Sequence, residues 1–184
     1  MGLFGLKYEN VDGYFDSYAK YIIRQAKNRL SKRSNTGRLR DSLDYTIFKN
    51  DKGQRDIRFT SVAYGDYVQR GVSGTQTQRT FIDVDGRRKK SPYAYRSVGP
   101  PVSALELWIK AKGFGRIRGA GGKFISHKTL AFFISKSIKK RGIRSVSFFT
   151  QPISASWKVF RQKLVENFAK DIEADIENKF SIKI

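Results

Sequence analysis

Side chains that could perform acid–base or metal chemistry are sparse in this chain. The only histidine, His127, has no acidic residue within twenty positions on either side, and there is no cysteine. A zinc or catalytic histidine needs partners, although folding can bring these from distant positions. We therefore predict that His127 lies at the surface or beside a helix cap. Without cysteine, a thiolate metal site is impossible and the fold needs no oxidising compartment.

Asp83 and Asp85 form the best carboxylate pair for a metal ion. They are two positions apart on a predicted strand, so both side chains would face the same side. Roles in a turn and in keeping a hairpin soluble explain the pair at least as well. We therefore expect no catalytic activity and no metal, with metal-dependent hydrolysis as the alternative to test.

The glycine-rich loop 113–123 could suggest a phosphate-binding turn. The dinucleotide fingerprint fails at Arg118, where its third glycine should stand, and no strand immediately precedes the loop. A P-loop fails at Ile117 and Phe124, where it requires glycine and Ser or Thr. We expect a mobile loop and no cofactor or small-molecule substrate.

The distribution of charge is the strongest functional indication. The 184 residues carry a formal net charge of +21, and residues 107–165 contain 14 Lys or Arg and no acidic residue. Such a surface favours a polyanionic neighbour, because Lys and Arg release counterions from phosphate. Nucleic acid and acidic protein are the better candidates. A membrane is the weakest, since no apolar run approaches the roughly 18–20 residues of a spanning helix.

The candidate polyanion-facing residues form three basic clusters. They are Arg87, Arg88, Lys89 and Lys90 at a predicted hairpin tip, Arg116 and Arg118 in the glycine-rich loop, and Lys139, Lys140 and Arg141 in the last turn of a predicted helix, with Arg144 just after it. Phe148 and Phe149 follow on a predicted strand and could stack on bases. Adjacent strand residues point to opposite faces, so only one of these two rings could be exposed.

Acidic residues return toward the C-terminus. They are Glu166, Asp171, Glu173, Asp175 and Glu177. An acidic tip and a basic body could form head-to-tail contacts between copies of the chain. A solvated helix face is the alternative interpretation.

Two long helices are predicted at the ends of the chain, from Val11 to about Lys32 and from Ser154 to Asn178. Each carries apolar residues at helical spacing, which predicts one buried stripe. The stripes are Tyr14, Tyr18, Ile22, Ala26 and Leu30 in the first helix, and Trp157, Phe160, Leu164, Phe168, Ile172 and Ile176 in the second.

Strands are predicted where β-branched and aromatic residues alternate with polar ones. Segments 44–48 and 55–63 should form one hairpin, with Ala63 facing inward. Segments 79–84 and 92–98 should form a second hairpin, with the Asp85-Gly86 turn and the basic residues 87–90 between them. Segment 145–151 should be a further strand, closed by Pro152.

Shorter helices are predicted from their boundary residues. Thr36 should cap one or two turns that bury Leu39 and Leu43. A helix should begin after Pro100 and Pro101 and end at Gly113, with Leu105, Trp108 and Ile109 inward. Another should run from Ser126 to Gly142, with Leu130, Phe133, Ile134 and Ile138 inward.

Together these elements predict an α+β fold, with an antiparallel sheet packed against long N- and C-terminal helices. We expect a single domain over residues 1–184. Its core would comprise 11–71 and 99–180, with an inserted hairpin at 72–98 and the glycine-rich loop at 113–123.

Four short motifs occur in order along the chain. Their residues are Thr36, Gly37, Leu39 and Ser42; Tyr64, Tyr67, Val68 and Gly71; Trp108, Ile109, Lys112 and Gly113; and Ile134, Ile138, Arg141, Gly142, Phe148 and Phe149. In this order they resemble the tail-completion, or neck, proteins of tailed bacteriophages, which form the head-to-tail connector. Segments 72–98 and 114–123 depart from the family pattern as insertions. Thr150 and Gln151 also stand before Pro152 where the family often has Pro-Phe.

The resemblance implies a non-enzymatic virion component, made in the host cytoplasm. It would assemble as a homo-oligomeric ring between portal or adaptor and tail proteins, with double-stranded DNA passing non-specifically through its lumen. A monomeric, sequence-independent nucleic-acid-binding protein is the alternative from a different class.

Overall fold

The computed structural model describes residues 8–31, 36–50, 54–114, 117–119 and 121–180, and it confirms a mixed fold of helices and antiparallel strands. The helices are α1 (Glu9–Ser31), α2 (Arg38–Asp41), α3 (Gly65–Arg70), α4 (Val102–Ala111), α5 (His127–Arg141) and α6 (Thr150–Phe180). The strands are β1 (Asp44–Lys49), β2 (Arg55–Thr60), β3 (Thr80–Ile82) and β4 (Arg88–Lys90). They pair as two separate antiparallel sheets, β1 with β2 and β3 with β4.

Contacts along the chain define two compact units. Unit 1 comprises Met1–Gly65, Asp83–Arg87 and Phe148–Ile184, and unit 2 comprises Asp66–Ile82 and Arg88–Ser147. The long terminal helices and the β1–β2 hairpin therefore belong to unit 1, whereas α4, α5 and the β3–β4 pair belong to unit 2. The single domain expected from the sequence stays a prediction.

The core of unit 1 lies between α1 and α6. Tyr18, Ile22 and Phe160 are buried there, and the rings of Tyr18 and Phe160 lie 4.2 Å apart. The Tyr18 hydroxyl lies 2.9 Å from Ser156 Oγ, so the one polar atom of this buried ring has a partner. The helical spacing of apolar residues correctly predicted α1, which also buries Ala26 and Leu30.

A buried carboxylate joins the far ends of the same two helices. Asp171 of α6 is 3 % exposed, and its oxygens accept hydrogen bonds from the backbone N–H groups of Asn10 (2.9 Å) and Val11 (3.0 Å). The Asn10 side-chain amide donates a third bond, at 2.8 Å. These are unpaired donors in the first turn of α1, where negative charge also complements the helix dipole. Asp171 is therefore a cap for α1 and not part of an exposed acidic tip.

The predicted strand at 145–151 is wrong. Ser147 has a left-handed φ of 46°, and α6 already begins at Thr150. Pro152 lies in the first turn of that helix, where its missing N–H costs nothing and its fixed φ suits the helix. Proline therefore helps to start a helix here, and does not close a strand.

Only part of the predicted stripe on α6 is buried. Phe160 is buried and Leu164 packs against the core, but Trp157, Phe168 and Ile176 are more than two-fifths exposed. Ile176 lies beyond the part of α6 that α1 covers, since α1 has 23 residues and α6 has 31. Trp157 and Phe168 lie within the paired stretch, between Gln151 and Asp171, but are still exposed. One partner helix cannot cover the whole apolar face of α6.

The β1–β2 hairpin of unit 1 agrees with its prediction. Asp44 pairs with Thr60 and Lys49 with Arg55, and alternation along β2 places Ile57 and Phe59 against the α1–α6 core. Ala63 is an exception, because it lies exposed in a turn after the strand.

The short helix α2 buries Leu39, and the next buried residue is Leu43, as predicted. The cap differs from the prediction, since Gly37 occupies the N-cap position with a φ of 76°. Thr36 Oγ1 still accepts a hydrogen bond from the Arg38 N–H at 3.4 Å.

In unit 2, α4 packs against α5. Ile109 of α4 and Ala131 of α5 are fully buried, and Ser126 caps α5 by accepting a hydrogen bond from the Thr129 N–H at 3.1 Å. Both helices end at left-handed glycines, Gly113 and Gly142, as predicted. Phe133 was expected to face inward, but its side chain is 56 % exposed.

Replacing Asp171 with asparagine should destabilise the α1–α6 pair. The change leaves buried N–H donors of α1 facing an amide instead of a carboxylate, so we expect a loss of about 1–3 kcal/mol in the free energy of unfolding. Urea denaturation followed by circular dichroism measures this. Asp56→Asn, on the exposed side of β2, is the matched control and should stay within about 0.5 kcal/mol of wild type.

Candidate polyanion-binding surface

Positive charge is concentrated in unit 2. Its residues include 17 Lys or Arg but only two acids, Asp66 and Glu106, so unit 2 carries +15 of the chain's net +21. Both acids are already in ion pairs, Asp66 with Arg70 at 2.9 Å and Glu106 with Lys110 at 3.0 Å. The remaining cations of unit 2 therefore face little internal negative charge, which suits an external polyanion.

The densest basic cluster lies at the C-terminal end of α5. Lys139, Lys140 and Arg141 occupy the last helical turn, and Arg144 follows after the helix end at Gly142. Lys140, Arg141 and Arg144 are exposed, whereas Lys139 is half-buried. No ion pair joins these four side chains to an acidic residue in the part of the chain that the structure describes. Cations at this end of a helix also complement its dipole.

The backbone segment 71–76 crosses the end of α5 and holds it in place. The N–H groups of Thr75 and Gln76 donate to the Lys139 and Lys140 carbonyls, at 2.9 and 3.0 Å. Val72 and Ile143 exchange two backbone hydrogen bonds, at 2.9 and 2.7 Å. The last carbonyls of a helix usually bond to water or to its own cap. Here a neighbouring segment takes them, so the basic turn is fixed to a second element.

This crossing depends on glycine. A Cβ at Gly74 would fall far inside contact distance of the Lys140 carbonyl, and one at Gly142 would collide with the Val72 carbonyl. At Gly71 an added Cβ would lie 2.7 Å from Ile143 O, and the φ of 72° is itself left-handed. Closest approach of two backbones requires residues without side chains. Gly74 was not singled out in the sequence, where nothing distinguishes it from a loop glycine.

The second basic cluster lies on a strand and not at a hairpin tip. The strand predicted at 92–98 is wrong, because the partner of β3 is the earlier segment Arg88–Lys90. Arg88, Lys89 and Lys90 form β4, pairing with Ile82, Phe81 and Thr80, and all three are exposed. Of the four residues predicted at the hairpin tip, only Arg87 lies in the turn. This turn, Asp83–Arg87, belongs to unit 1. The turn itself is as predicted, with Gly86 at a φ of 78° and its N–H bonded to the Asp83 carbonyl at 3.0 Å.

Buried serines connect β4 to segment 71–76. Ser91 directly follows β4, and its hydroxyl donates to the Gly71 carbonyl at 2.7 Å. Ser73 Oγ accepts hydrogen bonds from the Arg79 N–H (3.1 Å) and from the Gln78 side chain (2.8 Å). Because Val72 of the same segment bonds to Ile143 after α5, one segment links the two basic clusters. Neither serine was predicted, since an isolated serine gives no indication of burial.

The carboxylates proposed as a metal pair lie in the β3–β4 turn, and not on a strand as predicted. Asp83 Oδ1 accepts from the Val84 N–H at 2.8 Å, and Asp85 Oδ1 accepts from the Arg87 N–H at 3.0 Å. Asp85 also lies 3.7 Å from the Arg87 guanidinium. These contacts assign both side chains to turn formation.

Of the third basic cluster, in the glycine-rich loop, Arg118 lies among the described residues. Arg118 lies over the ring of Phe124 at 5.0 Å, and the Ile125 N–H bonds to the Ile117 carbonyl at 2.9 Å. The described part of the glycine-rich loop is thus a paired turn with an exposed cation. Arg116 lies outside the described residues.

Phe148 and Phe149 do not form a stacking platform. Phe148 is 1 % exposed, and Phe149 packs on the unit 1 core, with its ring 5.3 Å from that of Phe59. Exposed aromatic surface in unit 2 includes Tyr67, whose ring lies 4.4 Å from that of Tyr93. The Tyr93 hydroxyl donates to Asp66, and this bond, with burial and negative charge, raises the Tyr93 pKa.

Among the described residues, no group of three or more His, Asp or Glu side chains is placed to hold a metal ion. No helix in the described ranges is both long and apolar enough to cross a bilayer. Comparison with protein-family models, with curated proteins and with solved structures gives no match.

Replacing Gly74 with alanine should disrupt the crossing beneath the basic turn. The new Cβ meets backbone, which cannot move aside as a flexible side chain can, so we expect about 2–4 kcal/mol of destabilisation. Chemical denaturation provides the measurement. Gly121→Ala is the matched control, because no atom lies within 4 Å of a Cβ there. Equal stability of the two variants would contradict the assigned role of Gly74.

Proposed function

We propose that this chain is a structural virion protein of a tailed bacteriophage, forming a ring in the head-to-tail connector through which DNA passes. The observation that carries the proposal is the segregation of charge, since unit 2 holds +15 of the net +21 and both of its acids are ion-paired. A ring that encloses duplex DNA needs a cationic surface toward phosphate and a means of self-association.

The form of the basic surface supports contact with phosphate rather than with bases. Its densest cluster is the last turn of α5, where lysines and arginines lie at the end of a helix. Readout of bases requires side chains that enter a groove, usually from a helix face or a ribbon. Phosphate contacts position a protein on DNA without selecting sequence, which suits a channel that all of a genome must traverse.

The motif glycines also support the resemblance on which the proposal rests. Gly37, Gly71, Gly113 and Gly142 all have φ between 62° and 76°, a region that other residues rarely adopt. Each ends or begins a helix, and two of them belong to the crossing at α5. The four motifs therefore coincide with positions where the backbone itself demands glycine, as expected for motifs that encode a fold and not a catalytic site.

DNA binding should depend on the turn 139–141 and on salt. Lys139→Gln, Lys140→Gln and Arg141→Gln together should weaken binding uniformly across DNA sequences. The slope of log affinity against log salt should fall by about one for each lost phosphate contact. Fluorescence anisotropy with two unrelated duplexes, at several salt concentrations, measures both quantities.

The matched control removes three exposed cations of α6 in unit 1, with Lys158→Gln, Arg161→Gln and Lys170→Gln. It changes net charge equally, so it should reduce affinity less. Equal losses would indicate a response to total charge and would contradict a defined surface.

Self-association is the test of the ring. Analytical ultracentrifugation at several concentrations, followed by electron microscopy, should reveal closed annular particles. A strict monomer with tight, salt-sensitive DNA binding would instead support the monomeric nucleic-acid-binding alternative. If divalent metal gave turnover that Asp83→Ala with Asp85→Ala abolished, a non-enzymatic role would be wrong.

A further inference from the structure

The C-terminal end of α6 extends beyond the helix that it pairs with. The antiparallel pairing of α1 and α6 runs from Arg29 and Gln151, which share a side-chain hydrogen bond, to Asn10 and Asp171. Residues 173–180 continue the helix past this point, by about 12 Å at 1.5 Å per residue. Within the described ranges, no helix pairs with this end.

This end of α6 is both apolar and acidic. Phe168, Ile172, Ile176 and Phe180 recur every four residues and so share one face. Ile176 and Phe180 are 52 % and 74 % exposed. Glu173 and Glu177 lie beside that stripe, one turn apart, and neither forms an ion pair with a described residue. A solvated helix would not need such an exposed apolar row, which indicates a partner surface.

The outer face of α5 has the complementary character. Phe132 and Phe133 are both about half exposed, while Ala131 on the other side is buried in unit 2. Lys136 lies over the Phe132 ring at 5.0 Å, and Lys128 is one turn before that ring. This face is therefore an apolar pair flanked by cations, in a stretch of 59 residues without an acid.

We infer that the end of α6 in one copy of the chain docks on the outer face of α5 in a second copy. Charge selects the occupant, because residues 173–180 hold three acids, Glu173, Asp175 and Glu177, and one base, Lys179, whereas α5 holds five Lys or Arg and no acid. Apolar rows on both helices would bury each other, and Glu173 and Glu177 would face Lys128 and Lys136. The basic turn 139–141 follows Lys136 by about one helical turn, at the C-terminal end of α5.

The contact is heterologous, since it joins two different surfaces. Heterologous contacts generate rings when their rotation closes, and filaments when it does not. The inference thus rests on the proposed ring and names the surfaces that build it.

A charge-exchange experiment tests the contact. One variant, called the tail variant after the C-terminal end of α6, carries Glu173→Lys and Glu177→Lys. The other, called the face variant after the outer face of α5, carries Lys128→Glu and Lys136→Glu. Each alone places like charges together, so each should need about tenfold or more protein to assemble. Mixed in equal amounts, the two variants should assemble again, because opposite charges then meet at every tail and face. Analytical ultracentrifugation measures assembly, and circular dichroism checks that each variant keeps its helices.

Asp44→Lys with Asp56→Lys, on the β1–β2 hairpin, is the matched control for the tail variant. It changes net charge equally and should assemble like wild type. If wild type assembles and the tail variant does so equally well, or if mixing fails to restore assembly, the contact is wrong while the ring stands. If wild type stays monomeric at every concentration, both the ring and this contact are overturned.

Discussion

The crossing of segment 71–76 over the end of α5 is the constraint on which the cationic surface depends. Two amides of that segment bond to the carbonyls of Lys139 and Lys140, and glycines at 74 and 142 allow the backbones to meet. Without this contact, three cations would lie on a fraying helix end, where their mutual repulsion favours unwinding. With it, the carbonyl groups are satisfied and the positive charge is held on a fixed backbone. Ser91 extends the same support to β4.

Unit 1 has a different physical basis. Aromatic side chains pack between α1 and α6, and the buried Asp171 carboxylate joins the two helices at one end of this core. Hydrophobic burial provides the attraction between the helices, and the carboxylate fixes their register, because only one alignment satisfies the amides of Asn10 and Val11. Most of the net positive charge of the chain lies in unit 2, and unit 1 provides a long helix with an apolar and acidic end.

Features with a local cause could be predicted from the sequence. The stripe of α1, the Ser126 cap, the glycine ends of α4 and α5 and the Gly86 turn all follow from residue type and spacing. The failures share a non-local cause. The N–H groups of Val146 and Ser147 bond to the Val68 and Gln69 carbonyls of unit 2, so β-favouring residues there form no strand. The stripe of α6 was predicted to be buried along its length, but a single partner helix leaves Trp157, Phe168 and Ile176 more than two-fifths exposed.

The candidate site divides in the same way. Membership of the basic clusters could be read from the sequence, since lysines and arginines in one helical turn must lie together. The backbone contacts that hold the basic turn in place could not be predicted, because the hydrogen bonds from Thr75 and Gln76 are made by backbone groups that every residue type has. The burial of the serines at 73 and 91 could not be predicted either, because it depends on the residues that the fold places around them.

Mapping of protein–DNA cross-links in assembled particles tests the central claim most directly. If unit 2 faces the DNA, cross-linked peptides should come mainly from its lysines, with Lys139 and Lys140 foremost. Cross-links confined to lysines of unit 1, or equal labelling of both units, would contradict the assignment of the cationic surface to DNA.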